Sequence, residues 1–117
     1  MNETLTVKKE TRRTCHVIRM SGALSVKNIL NIRTIFDETL KNNSSSRIAL
    51  DLSAVDFLDS MGVGILINFS KRLAKDHGQM VVINPSEVVR EIFDVADTGK
   101  FIRVRNATIA DLDSAFD

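Results

Sequence analysis

The chain has 117 residues, with 16 Lys and Arg against 15 Asp and Glu, for a formal net charge of +1. Apolar residues make up 44% of it and charged residues 26%, the balance of one globular domain, 1–117, large enough to bury a core without disulfides or metals. The near-neutral charge argues against direct nucleic-acid binding, the single cysteine excludes an intrachain disulfide, and no stretch approaches the roughly 20 apolar residues of a membrane span, so a cytoplasmic protein with no membrane partner is expected.

Thr4–Lys8 alternates, placing Leu5 and Val7 on one face as a half-buried strand does. Arg12-Arg13 marks a break, and Cys15–Met20 reads as a second strand, hairpin-paired with the first and ended by Ser21-Gly22. Ser25 then stands where a helix N-cap belongs, and Val26, Ile29, Leu30, Phe36 and Leu40 follow at helical spacing. After the polar loop Asn42-Asn43-Ser44-Ser45-Ser46, the short apolar run Ile48-Ala49-Leu50 reads as a buried central strand. Ser53–Ser60 reads as a loop, followed by a helix from about Met61 to His77 with Gly78 as a left-handed cap. Met80–Ile83 is a further apolar strand. Asn84, Pro85 and Glu87 suit the N-cap, first position and capping box of a helix whose apolar stripe is Val88, Val89, Ile92, Phe93 and Ala96. Thr98-Gly99 stops it, Phe101–Val104 is a last strand, and a short helix closes the chain from Ile109 to Phe116. The order β-β-α-β-α-β-α-β-α predicts an α/β fold: a mixed central sheet of about five strands, antiparallel at the first hairpin, parallel in the centre through right-handed crossovers, with helices packed on it.

Catalytic constellations are not legible. His16 and His77 have no spacing that suits a metal, Cys15 reads as a small buried hydrophobe, and Gly62 and Gly64 are too few to cradle a nucleotide. No cofactor is expected, and the chain is read as a binding protein rather than an enzyme.

The informative segment is Ile48 to Phe69, in which a central strand runs into a loop that delivers Asp59-Ser60-Met61-Gly62 to a helix start. Loops at the carboxyl ends of parallel strands are where such sheets place function. The plainest account is structural: Asp59 or Ser60 caps the helix, and Gly62 and Gly64 let it approach the sheet. Against that, Val63-Gly64-Ile65-Leu66-Ile67 is apolar on nearly every side, a pattern that fits either an outward face that meets a partner or a helix buried on both sides. Asp51, Asp56, Asp59 and Ser60 crowd into ten residues, where a hydroxyl without a base is a poor nucleophile but a reasonable phosphate acceptor.

At this segment the chain resembles the STAS family, and within it the bacterial anti-sigma factor antagonists, over about Leu5 to Phe116. The resemblance rests on Leu50-Asp51-Leu52-Ser53, on Asp59-Ser60-Met61-Gly62 opening a helix, and on the later Gly78-Gln79-Met80-Val81-Val82 and Val88–Phe93 stretches. It implies a partner that is an anti-sigma factor with serine kinase activity, sequestered by the unphosphorylated form so that a sigma factor is released. It also implies phosphorylation at Ser60 and reversal by a PP2C-type phosphatase. The contact surface expected for such a switch is Asp56, Phe57, Leu58, Asp59, Ser60, Met61, Gly62, Val63 and Gly64, with core packing the alternative for Phe57 and Leu58. A STAS interaction module of a stressosome-like or transporter complex is the alternative. One position departs from the pattern: Gly22-Ala23-Leu24-Ser25 has serine where relatives often carry aspartate.

Overall fold

Leu5–Thr11 (β1) and His16–Leu24 (β2) form the expected antiparallel hairpin, with Leu5 opposite Gly22 and Thr11 opposite His16. The computed structural model describes residues 4–12, 14–43 and 46–117; Arg13 in the expected break and Ser44 and Ser45 in the expected polar loop lie outside them. From β2 the chain passes through a 3-10 turn, Val26–Asn28, into helix Ile29–Asn43 (α1), then strand Arg47–Leu58 (β3), helix Ser60–Lys75 (α2), strand Gln79–Ile83 (β4), helix Glu87–Ala96 (α3) and strand Arg103–Arg105 (β5). The strands lie side by side in chain order, β2 to β5 all parallel. Right-handed crossovers that always step the same way put their helices on one face.

The apolar pattern follows from that layout. On the helix face, Ile18, Met20, Ile48, Leu50, Leu52, Met80 and Val82 pack with Ile32 and Phe36 of α1, Leu66 and Phe69 of α2, and Val89 and Phe93 of α3. Phe36 and Phe69 stack with centroids 4.1 Å apart, locking α1 to α2. On the other face Cys15, Val17, Ala49, Val81 and Ile83 are covered by Leu112, Ala115 and Phe116. The closing segment is not one helix but two 3-10 turns, Ile109–Asp111 and Asp113–Phe116. Asn84 pins it, donating through its amide to the Ala107 C=O at 2.6 Å and accepting from the Ala107 N–H at 2.9 Å.

Several expectations are corrected here. The second strand runs through Ser21-Gly22 to Leu24, because Gly22 adopts φ 98 at a bulge and the ladder then resumes. Ser53–Leu58 is not a loop but the second half of β3, with Ala54, Val55, Phe57 and Leu58 paired to β2. A register shift leaves both Ser53 and Ala54 exposed, which breaks the alternation that marks a strand. Helix α2 ends with His77, not Gly78, in the left-handed region (φ 64), although the Gly78 N–H does donate to the Leu73 C=O at 2.8 Å. The N-cap of α3 is Ser86 rather than Asn84, which takes φ 50 and turns its side chain to the C-terminal segment. Val26 and Leu30, read as part of the core stripe, are 54% and 75% exposed, and Ile32 fills the core instead.

Candidate functional site

One residue, Asp59, makes the turn between β3 and α2, and its groups are fully committed. Its N–H donates to the Leu24 C=O at 3.2 Å, and its C=O accepts the Val63 N–H at 3.0 Å. One carboxylate oxygen caps α2 by accepting the Gly62 N–H at 2.9 Å; the other accepts the Val26 N–H at 3.0 Å. A single carboxylate therefore serves the amides at two helical starts, where negative charge is favoured. This displaces Ser25 from its expected role: Ser25 is buried and its side chain makes no capping bond. Gly62 permits the close approach, since a Cβ there would stand 2.3 Å from the Leu24 oxygen and 2.7 Å from Leu58 Cδ1. Gly64 does not share that role, because a Cβ on it would meet nothing within 4 Å.

Ser60 follows as the first residue of α2. Its side chain is exposed, and its hydroxyl makes no hydrogen bond among the described residues. Ser60 borders two grooves. One, of about 370 Å³, runs between α1 and α2 past Arg33, Met61, Gly64, Asn68 and Arg72. The other, of about 450 Å³ and mostly apolar, lies between the start of α2 and α3, bounded by Leu58, Val63, Val88, Ile92 and Val95 with Glu91 at its edge. Val95 is 90% exposed and Met61 43%.

The residues expected at the contact surface separate accordingly. Ser60, Met61 and Gly64 are exposed and share the α1–α2 groove. Leu58 and Val63 are buried and form the floor of the apolar groove, while Gly62 is buried against β2, so these three shape the surface rather than project from it. Phe57 is half-buried and Asp56 exposed on β3, and neither borders a groove that contains Ser60. The crowd of three aspartates around Ser60 disperses: Asp51 sits on the opposite side of the sheet from the helices, 3.5 Å from Arg19, and its carboxylate accepts the Ser53 N–H and hydroxyl at 3.0 and 2.7 Å.

Sequence reasoning missed Arg33, Val95 and Glu91 at the grooves, and it read the exposed Val26 and Leu30 as core. For Leu30 and Val95 a signal existed. Leu30 and Val95 fall about a third of a turn off the centres of the stripes set by Ile29–Ile32–Phe36 and Val89–Ile92–Phe93. Val26 precedes α1 proper, in the 3-10 turn. The remaining reactive side chains are elsewhere. Cys15 is buried, and burial first, with Asp113 second, raises its thiol pKa, which makes thiolate scarce at neutral pH. His16 lies 3.3 Å from the Thr11 hydroxyl and His77 beyond the far end of α2.

An anti-sigma F factor antagonist of Paenibacillus polymyxa is 25% identical over 100 residues, 86% of each chain. An anti-sigma factor antagonist from Mycobacterium paratuberculosis superposes with a TM-score of 0.82 at 23% identity, covering 97% of this chain and 95% of that one. The anti-sigma factor antagonist SpoIIAA in its unphosphorylated form superposes with a TM-score of 0.75 at 24% identity, over 93% and 94%. The phosphorylated form of that Bacillus protein gives 0.69, again at 24%, over 93% and 97%. The STAS domain profile matches residues 6–115, and the chain belongs to the STAS domain family.

Proposed function

We propose that this protein is an anti-sigma factor antagonist, a binding protein rather than an enzyme. Unmodified, it captures an anti-sigma factor that is also a serine kinase and so releases a sigma factor. Phosphorylation of Ser60 ends that capture, and a PP2C-type phosphatase restores it. The observation that bears the reading is the free, exposed hydroxyl of Ser60 at the start of α2, between two grooves and amid exposed apolar side chains. The name of the Paenibacillus relative and the existence of SpoIIAA in phosphorylated and unphosphorylated forms support it.

The physics of the switch is local. A phosphate adds about −1.5 to −2 charges at a helix start that tolerates them, so the domain has no need to refold. Desolvating that charge against a partner is costly, and like-charge contact at an interface costs several kcal/mol. The test is capture of partners from lysate by the unmodified protein, Ser60→Ala and Ser60→Asp, with mass spectrometry after incubation with the captured kinase and ATP. The reading expects capture by the first two only, and phosphate on Ser60 of the unmodified protein only. Equal capture by Ser60→Ala and Ser60→Asp, or an unaltered Ser60, defeats it.

A further inference from the structure

We propose that Arg33 is the receptor for the phosphate on Ser60: its guanidinium pairs with the modified side chain across the α1–α2 groove and is thereby withdrawn from the docking surface. This rests on the reading of Ser60 as the phosphosite. Ser60, Gly64, Asn68 and Arg72 succeed one another at four-residue spacing down one face of α2, and Ile29, Arg33 and Asp37 line the facing wall. Of the two arginines in the groove, Arg72 is held by Asp37 at 2.8 Å. Arg33 is exposed and makes neither an ion pair nor a hydrogen bond among the described residues.

Reach follows from register. Helices α1 and α2 run parallel, because each connects neighbouring parallel strands in the same sense. Phe36 stacks on Phe69 and Asp37 bonds Arg72, which sets Arg33 level with residues 66–68 of α2. That is about 9–12 Å along the axis from Ser60 at 1.5 Å per residue. Helical side chains lean toward the N-terminus, so Arg33 leans along the groove toward Ser60. Gly64, one turn after Ser60, has no side chain to stand in the way. A guanidinium presents planar paired donors that match phosphate oxygens, and it remains charged at every relevant pH.

The charge balance gives the pairing its effect. Beside Ser60 stand the carboxylates of Asp59, bound to two amides, and Glu91, at the edge of the apolar groove, while Asp37 pairs with Arg72 at the far end of the α1–α2 groove. Arg33 is the uncommitted cation of that neighbourhood among the described residues. Phosphorylation therefore changes the surface twice, by adding an anion and by consuming the free positive charge that an acidic group on the partner would meet.

A phosphate beside a fixed cation loses its second proton more readily, and that is measurable without a partner. Phosphoserine is installed at position 60 by genetic encoding, and its second ionisation, ordinarily near pH 6, is followed by phosphorus NMR. The expected midpoint in the wild-type background lies at least about half a pH unit, or roughly threefold in the constant, below that of Arg33→Gln. Arg33→Lys recovers part of the difference, and Lys75→Gln, which removes the same charge from the far end of α2, leaves the wild-type value. Equal midpoints in wild type and Arg33→Gln overturn the proposal. Because no kinase is involved, the result stands apart from whether a kinase modifies Ser60, which the capture and mass-spectrometric experiment reads separately.

Discussion

Helices α2 and α3 both begin at the carboxyl edge of the parallel sheet, and each has a serine at its start, yet the two serines do opposite things. Ser86 is the N-cap of α3: its hydroxyl donates to the Val55 C=O at 2.6 Å and accepts the Val89 N–H at 3.3 Å. Ser60 comes one position later relative to its helix, because Asp59 has taken the cap. A side chain at the cap folds back on the helix amides, whereas one at the first helical position points away from them. A shift of one residue thus separates a hydroxyl consumed by structure from one left free for chemistry.

The largest effect expected from this contrast is on binding. Ser60→Asp is expected to weaken capture of the proposed anti-sigma factor partner by about a hundredfold, some 2.7 kcal/mol. Its thermal midpoint should stay within about 2 °C of wild type, since the side chain holds nothing in place and an acid suits a first turn. Calorimetric titration against the purified partner and a melting curve give both numbers. A large loss of stability with intact affinity would make Ser60 a structural residue like Ser86.

The contrast also explains what the sequence could and could not reveal. The strands and their alternation with helices in a mixed sheet were legible because Ile48-Ala49-Leu50 and Met80–Ile83 are continuous apolar runs and the intervening stripes have helical period. The position of Ser60 was legible from the polar-to-apolar change at Asp59-Ser60. Its surroundings were not. The second half of β3 was hidden by a bulge that exposes Ser53 and Ala54 in succession. The shared cap of Asp59 joins positions 33 residues apart, which no local pattern encodes. Both grooves are properties of helix pairs, so Arg33 and Val95 gain meaning only once α1 and α3 are set beside α2.

The next effect tests how closely the start of α2 is pressed onto β2. Gly62→Ala is expected to destabilise the protein by about 2–3 kcal/mol, because the nearest obstacle is the Leu24 backbone oxygen, which cannot swing aside as a side chain can. Gly64→Ala, two residues on and facing open space, is expected to stabilise it by about 0.5–1 kcal/mol through helix propensity. Opposite signs in urea unfolding would show that the close approach is confined to one glycine; a common sign would remove the distinction.

Asp59 sharpens the comparison from the other side, because its carboxylate serves two helical starts where the Ser86 hydroxyl serves one. Asp59→Ala should cost about 2 kcal/mol, two capping interactions at roughly 1 kcal/mol each. Asp59→Ser, able to cap α2 but too short to span to Val26 as well, should cost about half of that. Hydrogen exchange separates the two contributions: the Val26 amide should lose protection in both variants, and the Gly62 amide only in Asp59→Ala. Retained protection at Val26 in Asp59→Ser would mean that the start of α1 is held by something other than this carboxylate.

Ser86→Ala provides the smallest effect and the cleanest counterpart to Ser60. Removing its hydroxyl takes the cap from the Val89 N–H and the donor from the Val55 C=O, for an expected loss of about 1 kcal/mol. Val55 is paired with Gly22 in the sheet and Val89 is anchored in the core, so the backbone should stay in place. Partner affinity should therefore remain within twofold of wild type, and phosphate incorporation at Ser60 should be unchanged. The pair of serines would then show a double dissociation: at position 86 stability changes and binding does not, at position 60 binding changes and stability does not. If Ser86→Ala lowered affinity as much as Ser60→Asp does, the docking surface would have to extend to the α3 start, and the cap-versus-first-position distinction would no longer separate structure from function.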